Sequence, residues 1–149
     1  IKWLGNDDYI NNIKKSDYVI IAFANVGKKN LNNINKIFDK LKKKNCKLPV
    51  IISKNSYVSK ETKIGEGTII MHNVVINAKV EIGKNCIINT KSLVEHDTII
   101  GDHCHVSTGV IINGSCIILS NTFLGTGSVI LNNVKCKKKI ISAGQIIKN

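Results

Sequence analysis

From Ile52 onward, every sixth residue of the chain is aliphatic. Stepping by six gives Val58, Ile64, Ile70, Ile76, Ile82, Ile88, Val94, Ile100, Val106, Ile112, Ile118, Leu124 and Ile130. Ile, Val and Leu make up about a third of the chain, so a chance run of this length has a probability on the order of 10⁻⁷. The fifth position of each hexapeptide is small or β-branched throughout, from Ser56, Thr62 and Thr68 to Ser128 and Val134. Positions five and one are two residues apart in a strand, so both side chains point the same way. A large aliphatic group and a small one fill a narrow interior. Position six faces outward, and positions two to four turn a corner. This is the hexapeptide repeat of a parallel β-helix. Gly65, Gly83, Gly101 and Gly125 fall at position two, where the expectation is a corner backbone with positive φ. The first three are spaced by 18 residues, so one coil is three hexapeptides wound as a triangular prism.

Composition agrees with strands. The 149 residues include 27 Ile, 22 Lys and 19 Asn, with one Pro, 5% aromatics and no Arg. β-branched excess favours sheet over helix bundle. No stretch of 18 apolar residues exists, so a membrane-spanning helix is not expected. The formal net charge of +12 invites a nucleic-acid reading. Its layout argues against one. Residues 1–60 carry 13 Lys against 4 acids, whereas residues 61–134 carry 4 Lys against 6 acids. Specific readers of nucleic acid lean on Arg, which is absent. Lys137, Lys138 and Lys139 read as a solvated run near the end.

Residues 1–51 follow another pattern. Asp17 to Ala24 reads as a short apolar strand. Lys28 to Asn45 reads as a helix, with Leu31, Ile34, Phe38 and Leu41 on one stripe. Leu48 to Ser53 reads as a strand entering the coils. Together they form the closing part of an α/β Rossmann-like unit. The chain opens on Ile1 rather than Met, so the expectation is that sequence carrying the start of that unit precedes it. The division expected is 1–51 for the partial α/β unit and 52–149 for the β-helix. Five cysteines show no CxxC spacing. Cys86, Cys104, Cys116 and Cys136 fall at inward positions, where a buried thiol is a good filler. No secretory signal opens the chain, so a reduced, cytoplasmic setting is expected.

The chemistry concentrates in one segment, from Val94 to Val106, which holds His96, His103 and His105. A lone histidine is ordinarily a solvated surface residue, as His72 is expected to be. His96 stands apart on two counts. It lies at position three, on a corner open to ligand, and Asp97 follows it as a partner able to polarise the imidazole.

The stretch IINTKSLVEHDTIIGDHCHVSTGVIINGSCIILSNTFLGTGSVI, residues 87–130, resembles the hexapeptide-repeat acyltransferases of the NeuD/PglD type. These enzymes acetylate bacterial sugars and join a Rossmann-like nucleotide-sugar domain to a left-handed β-helix. The resemblance implies a left-handed coil, acetyl-CoA as acetyl donor and a homotrimer with the donor between subunits. It implies that His96 is the general base and that Asp97 raises its basicity. It places His105, Gly114, Thr126 and Gly144 at the coenzyme. A family glycine that contacts the nucleotide sugar is Ala24 here, and Leu119 stands where a corner glycine is usual.

The reading that follows is an acetyl-CoA-dependent acetyltransferase, with direct transfer to a sugar or nucleotide-linked amino sugar and no metal. O-acetylation of a sialic-acid-type sugar is the alternative within that class. Outside it stand a metal hydrolyase on the same scaffold and a non-catalytic β-helix protein. The outward sixth positions also predict assembly. Tyr57, Val75, Leu93, Ile111 and Val129 line one prism face and are all apolar, which calls for a covering partner. The expectation is a trimer about that face, against coverage by the N-terminal helix.

Overall fold

The computed structural model describes residues 7–22 and 28–149. It holds seventeen strands of two residues each. All strand pairs are parallel and sort into three sheets. The first sheet runs through Tyr57–Val58, Val75–Ile76, Leu93–Val94, Ile111–Ile112, Val129–Ile130 and Ile146–Ile147. The second runs through Lys63–Ile64, Glu81–Ile82, Ile99–Ile100, Ile117–Ile118 and Lys135–Cys136. The third runs through Ile51–Ile52, Ile69–Ile70, Ile87–Ile88, His105–Val106, Phe123–Leu124 and Ile140–Ile141. Together they form a parallel solenoid of about five turns. Partners lie 18 residues apart, as Leu93 with Ile111. Only the last coil is shorter: Phe123 pairs Ile140 and Val129 pairs Ile146, 17 apart. The tail after the solvated lysine run adds two strands, Ile140–Ile141 and Ile146–Ile147.

The interior follows the hexapeptide register. Position-one residues from Ile70 to Ile130 are buried, as are position-five residues from Thr68 to Val134. Each buried aliphatic side chain contributes roughly 1.5–3 kcal/mol. Several inward hydroxyls and thiols find backbone acceptors on the next coil: Thr68 Oγ1 donates to Gly83 O at 2.8 Å, Cys86 Sγ to Gly101 O at 3.2 Å and Cys116 Sγ to Leu131 O at 3.0 Å. All five cysteines are buried and unbridged. Burial pushes the Cys116 and Cys136 thiols up, so they stay neutral fillers rather than nucleophiles.

The corners correct one expectation. Positive φ sits at position four, not two. Asn73, Lys79, Asn85, Lys91, Asp97, His103, Ser115, Asn121 and Asn133 all take it, with φ between 52° and 64°. The position-two glycines serve close approach instead. A Cβ on Gly65 would lie 2.6 Å from the backbone of Gly83, and one on Gly101 would lie 2.6 Å from Ser120 N. Leu119 stands in this column with its side chain exposed, and the corner above it, 137–139, is one residue shorter.

Helix α1 spans Lys28–Lys43. Ile34, Phe38 and Leu41 are buried on its inner stripe, while the side chain of Leu31 lies outside the described residues. Lys40, Lys42 and Lys43 in the last turn suit the negative end of the helix dipole. Asn45 ends the helix at φ 55°, with Cys46 N donating to Leu41 O and Asn45 N to Lys42 O, a Schellman closure. The helix lies along the corner between the second and third sheets. Phe38 meets the His103 ring edge-on at 5.4 Å. Asn35 Nδ2 donates to Asn121 Oδ1 at 2.6 Å, and Lys42 pairs Glu66 at 2.8 Å. The strand expected over 17–24 is a single parallel bridge, Tyr18 with Lys47, among the described residues. Ala24 falls outside them. The observed N-terminal structure is thus one α-helix, a short 3-10 helix over Asp7–Asn12 and that bridge. No helix among the described residues is long and apolar enough to cross a membrane.

Candidate active site at a solenoid corner

His96 lies on the corner that leads from the first sheet to the second. Strand Leu93–Val94 ends just before it and strand Ile99–Ile100 begins just after Thr98. The corner backbone is held from both neighbouring coils. Asp97 N donates to Ala78 O at 3.1 Å, and Ser115 N donates to His96 O at 2.9 Å. Thr98 Oγ1 donates to Asn113 O at 3.0 Å. Asp97 takes the left-handed conformation, φ 57°, which asparagine and aspartate tolerate best after glycine. That bend turns its carboxylate back onto the preceding imidazole, with Asp97 Oδ2 at 2.8 Å from His96 Nδ1. A carboxylate only accepts, so Nδ1 is the donor in this contact, which leaves Nε2 as the acceptor nitrogen of the neutral ring. Both side chains are more than half exposed. The two residues that the sequence singled out are therefore in contact, on a corner whose backbone is hydrogen-bonded to both neighbouring coils. Glu95, on the same corner, accepts from Asn77 Nδ2 at 2.8 Å.

Gly114 is the next coil's counterpart of His96, 18 residues on. It is buried directly against the His96 ring. The other predicted positions lie elsewhere on the prism. Thr126 and Gly144 stack on the corner between the third and first sheets, where Gly144 N donates to Thr126 O at 2.9 Å. Gly109, Gly127 and Gly144 share that corner, all at positive φ, and a Cβ on any of them would meet nothing within 4 Å. They leave an open ledge that a ligand can approach along its backbone. His105 is on the third sheet, the face opposite the His96 corner. It is buried, edge-on to Phe123 at 5.2 Å. With Ile21, Ile34, Asn35 and His103 it lines a cavity of about 20 Å³ beside the helix. A broad groove of about 440 Å³ runs over the second sheet, past Lys63, Glu81 and Ile99. Neither concavity includes His96.

The packing of His103, and Gly109 and Gly127 of the ledge, escaped sequence reading. His103 is half-buried against Phe38 and accepts from Asn85 Nδ2 at 2.9 Å. Burial lowers its pKa below the ordinary 6.5, with Asp102 and Asp39 pulling the other way. A base with a depressed folded pKa leaves the unfolded chain binding more protons, so stability falls as pH drops below that ordinary value. Thermal melts from roughly pH 7 to pH 5 should show this loss, and His103→Asn should flatten it. An unchanged slope in the variant would assign the loss to other groups. No cluster of three His, Cys, Asp or Glu able to hold a metal occurs among the described residues.

Residues 61–96 match the bacterial transferase hexapeptide family, over six repeats. No curated protein matches the chain. Among solved structures the chain is similar to perosamine N-acetyltransferase from Caulobacter crescentus, solved as a histidine-to-asparagine variant with CoA and GDP-perosamine. The two are 26% identical with a TM-score of 0.80, over 88% of this chain and 60% of that one. It is also similar to WeeI from Acinetobacter baumannii, at 25% identity and a TM-score of 0.74, over 95% of this chain and 67% of that one. The acetyltransferase domain of PglB from Neisseria gonorrhoeae, in complex with acetyl coenzyme A, shares the fold: 22% identity, TM-score 0.77, over 96% of this chain and 73% of that one. This chain spans about 60% of the length of the Caulobacter protein. In repeat and in fold, then, the resemblance read from the residues holds, and the chain is a hexapeptide-repeat protein built as the sugar acetyltransferases are.

Proposed function

We propose that the chain is the catalytic part of an acetyl-CoA-dependent N-acetyltransferase acting on a nucleotide-linked amino sugar. The observation that carries this reading is the His96–Asp97 contact at 2.8 Å on a corner where both side chains are more than half exposed. The acceptor amine attacks the thioester carbonyl while Nε2 of His96 takes its proton. The carbon–sulfur bond then breaks, and the imidazolium returns the proton to the leaving coenzyme A thiolate. Asp97 stabilises the imidazolium in between. No covalent enzyme intermediate is needed, in keeping with the buried thiols.

The active unit in this reading is a left-handed, threefold homotrimer. Helix α1 lies against the third sheet and its corner, so it leaves the apolar first sheet uncovered: Tyr57 is 59% exposed, Val75 37% and Ile111 37%. If three first sheets face the threefold axis, each first-to-second corner meets a neighbour's third-to-first corner. That brings His96 of one subunit beside the Thr126–Gly144 ledge of the next, while His105 stays buried on the neighbour's third sheet beside helix α1. Residues scattered over one prism thus become one site between two. Residues 1–51 are read as the end of the α/β unit that holds the nucleotide sugar. Five free thiols fit a reducing, cytoplasmic setting.

The test is direct. The chain is mixed with acetyl-CoA and a panel of nucleotide-linked amino sugars and their hydroxyl analogues, and thiol release is followed. Release dependent on the amino sugars is expected. Release only with hydroxyl sugars would redirect the reading to O-acetylation, and none with any acceptor would defeat it.

A further inference from the structure

Gly114 is held to glycine by the ring of His96. A Cβ built on Gly114 would lie 2.8 Å from both Cε1 and Nε2 of His96 and 3.3 Å from Nδ1, and no other atoms come as near. Real Cβ atoms do not approach ring atoms so closely. Nor does the backbone explain the residue, because Gly114 is not among the glycines at positive φ. The main chain on either side is fixed: Ser115 N is bonded to His96 O, and Asn133 N donates to Gly114 O at 3.0 Å. The coil below offers Ala78 at the same corner position. The imidazole therefore occupies a column of small residues, alanine beneath and glycine above.

We propose that Gly114 is a positioning residue for the base. Its missing side chain lets the His96 ring lie flat along the column, the pose in which Nδ1 reaches Asp97 at 2.8 Å. A methyl group at 114 displaces the ring, since the exposed side chain yields more easily than the hydrogen-bonded corner. The Nδ1–H···Asp97 bond is then lost and Nε2 leaves its place. This deepens the acetyltransferase reading and rests on it for the consequence in turnover, but not for the geometry.

Gly114→Ala tests it with two readouts. In the ¹⁵N-labelled chain, the ring nitrogens of His96 should report protonated Nδ1 in the wild type and a shift toward the mixed tautomers of free histidine in the variant. In turnover, kcat should fall by roughly 10²-fold, the scale set by a misplaced catalytic group, with KM for acetyl-CoA held. Unchanged ring signals in a folded variant would overturn the proposal. So would a raised KM with kcat held, which would make Gly114 a coenzyme contact. Should Gly114→Ala fail to fold, the double variant His96→Ala, Gly114→Ala decides: it folds if the ring is what alanine meets, and failure to fold overturns the assignment. An inactive wild type would defeat the acetyltransferase reading while leaving the ring signals to judge Gly114.

Discussion

His96→Ala is expected to lower turnover by roughly 10²–10⁴-fold, the usual loss when a general base is removed, with the coil intact. The side chain is more than half exposed and contributes nothing to the interior. Its backbone carbonyl, which anchors Ser115, survives the change. Asp97→Asn should cost less. The amide oxygen still accepts from Nδ1, so the tautomer is kept, and only the charge that stabilises the imidazolium is gone. Circular dichroism beside the kinetics separates a lost base from a lost fold. Unchanged turnover in the His96 variant would remove the base assignment.

Ile111→Lys is expected to convert a trimer to monomers and to abolish acetyl transfer with it. Ile111 sits mid-face on the first sheet, paired between Leu93 and Val129. Threefold symmetry would bring three new ammonium groups toward one apolar axis. Each would be stripped of water without a partner, at a cost of about several kcal/mol. The folded coil itself tolerates the change, because position six points away from the core. Sedimentation and activity should therefore fall together. A wild-type chain that is monomeric at micromolar concentration would sink both the trimer and the shared cleft. Full activity in a monomeric variant would leave the trimer standing and refute the shared cleft.

The solenoid was legible because a strand of two residues leaves no room for ambiguity. One residue points in and one points out, and a slip by one would exchange them. Ile82, Cys86 and Ile88 could be placed inside from spacing alone. The corners were less legible, because two constraints act there at once. Gly83 is excluded from carrying a side chain by the coil above, and Asn85 bends through the left-handed region that asparagine tolerates. Spacing shows where these residues fall but not which constraint each obeys. His96 with Asp97 was readable as adjacent residues on a corner. Gly114 above the ring was not, since the contact joins residues 18 apart through a ring orientation that no pattern encodes. The packing of His103 was missed for a related reason: its neighbour Phe38 comes from the helix, and nothing in the repeat says which face the helix covers.

Constant spacing between paired strands has a kinetic consequence. Parallel sheets usually form slowly, since their strands are brought together across long, variable stretches of chain. Here each pairing except the last two closes a loop of the same size, about an eighth of the chain. The entropy of closing such a loop does not grow with the number of coils. Once one coil is in place, the next finds its template edge already laid down, and order can advance like a zip along the axis. The docked helix, touching corners from Glu66 to Asn121, spans four successive coils and can hold that first edge together while the rest is wound on.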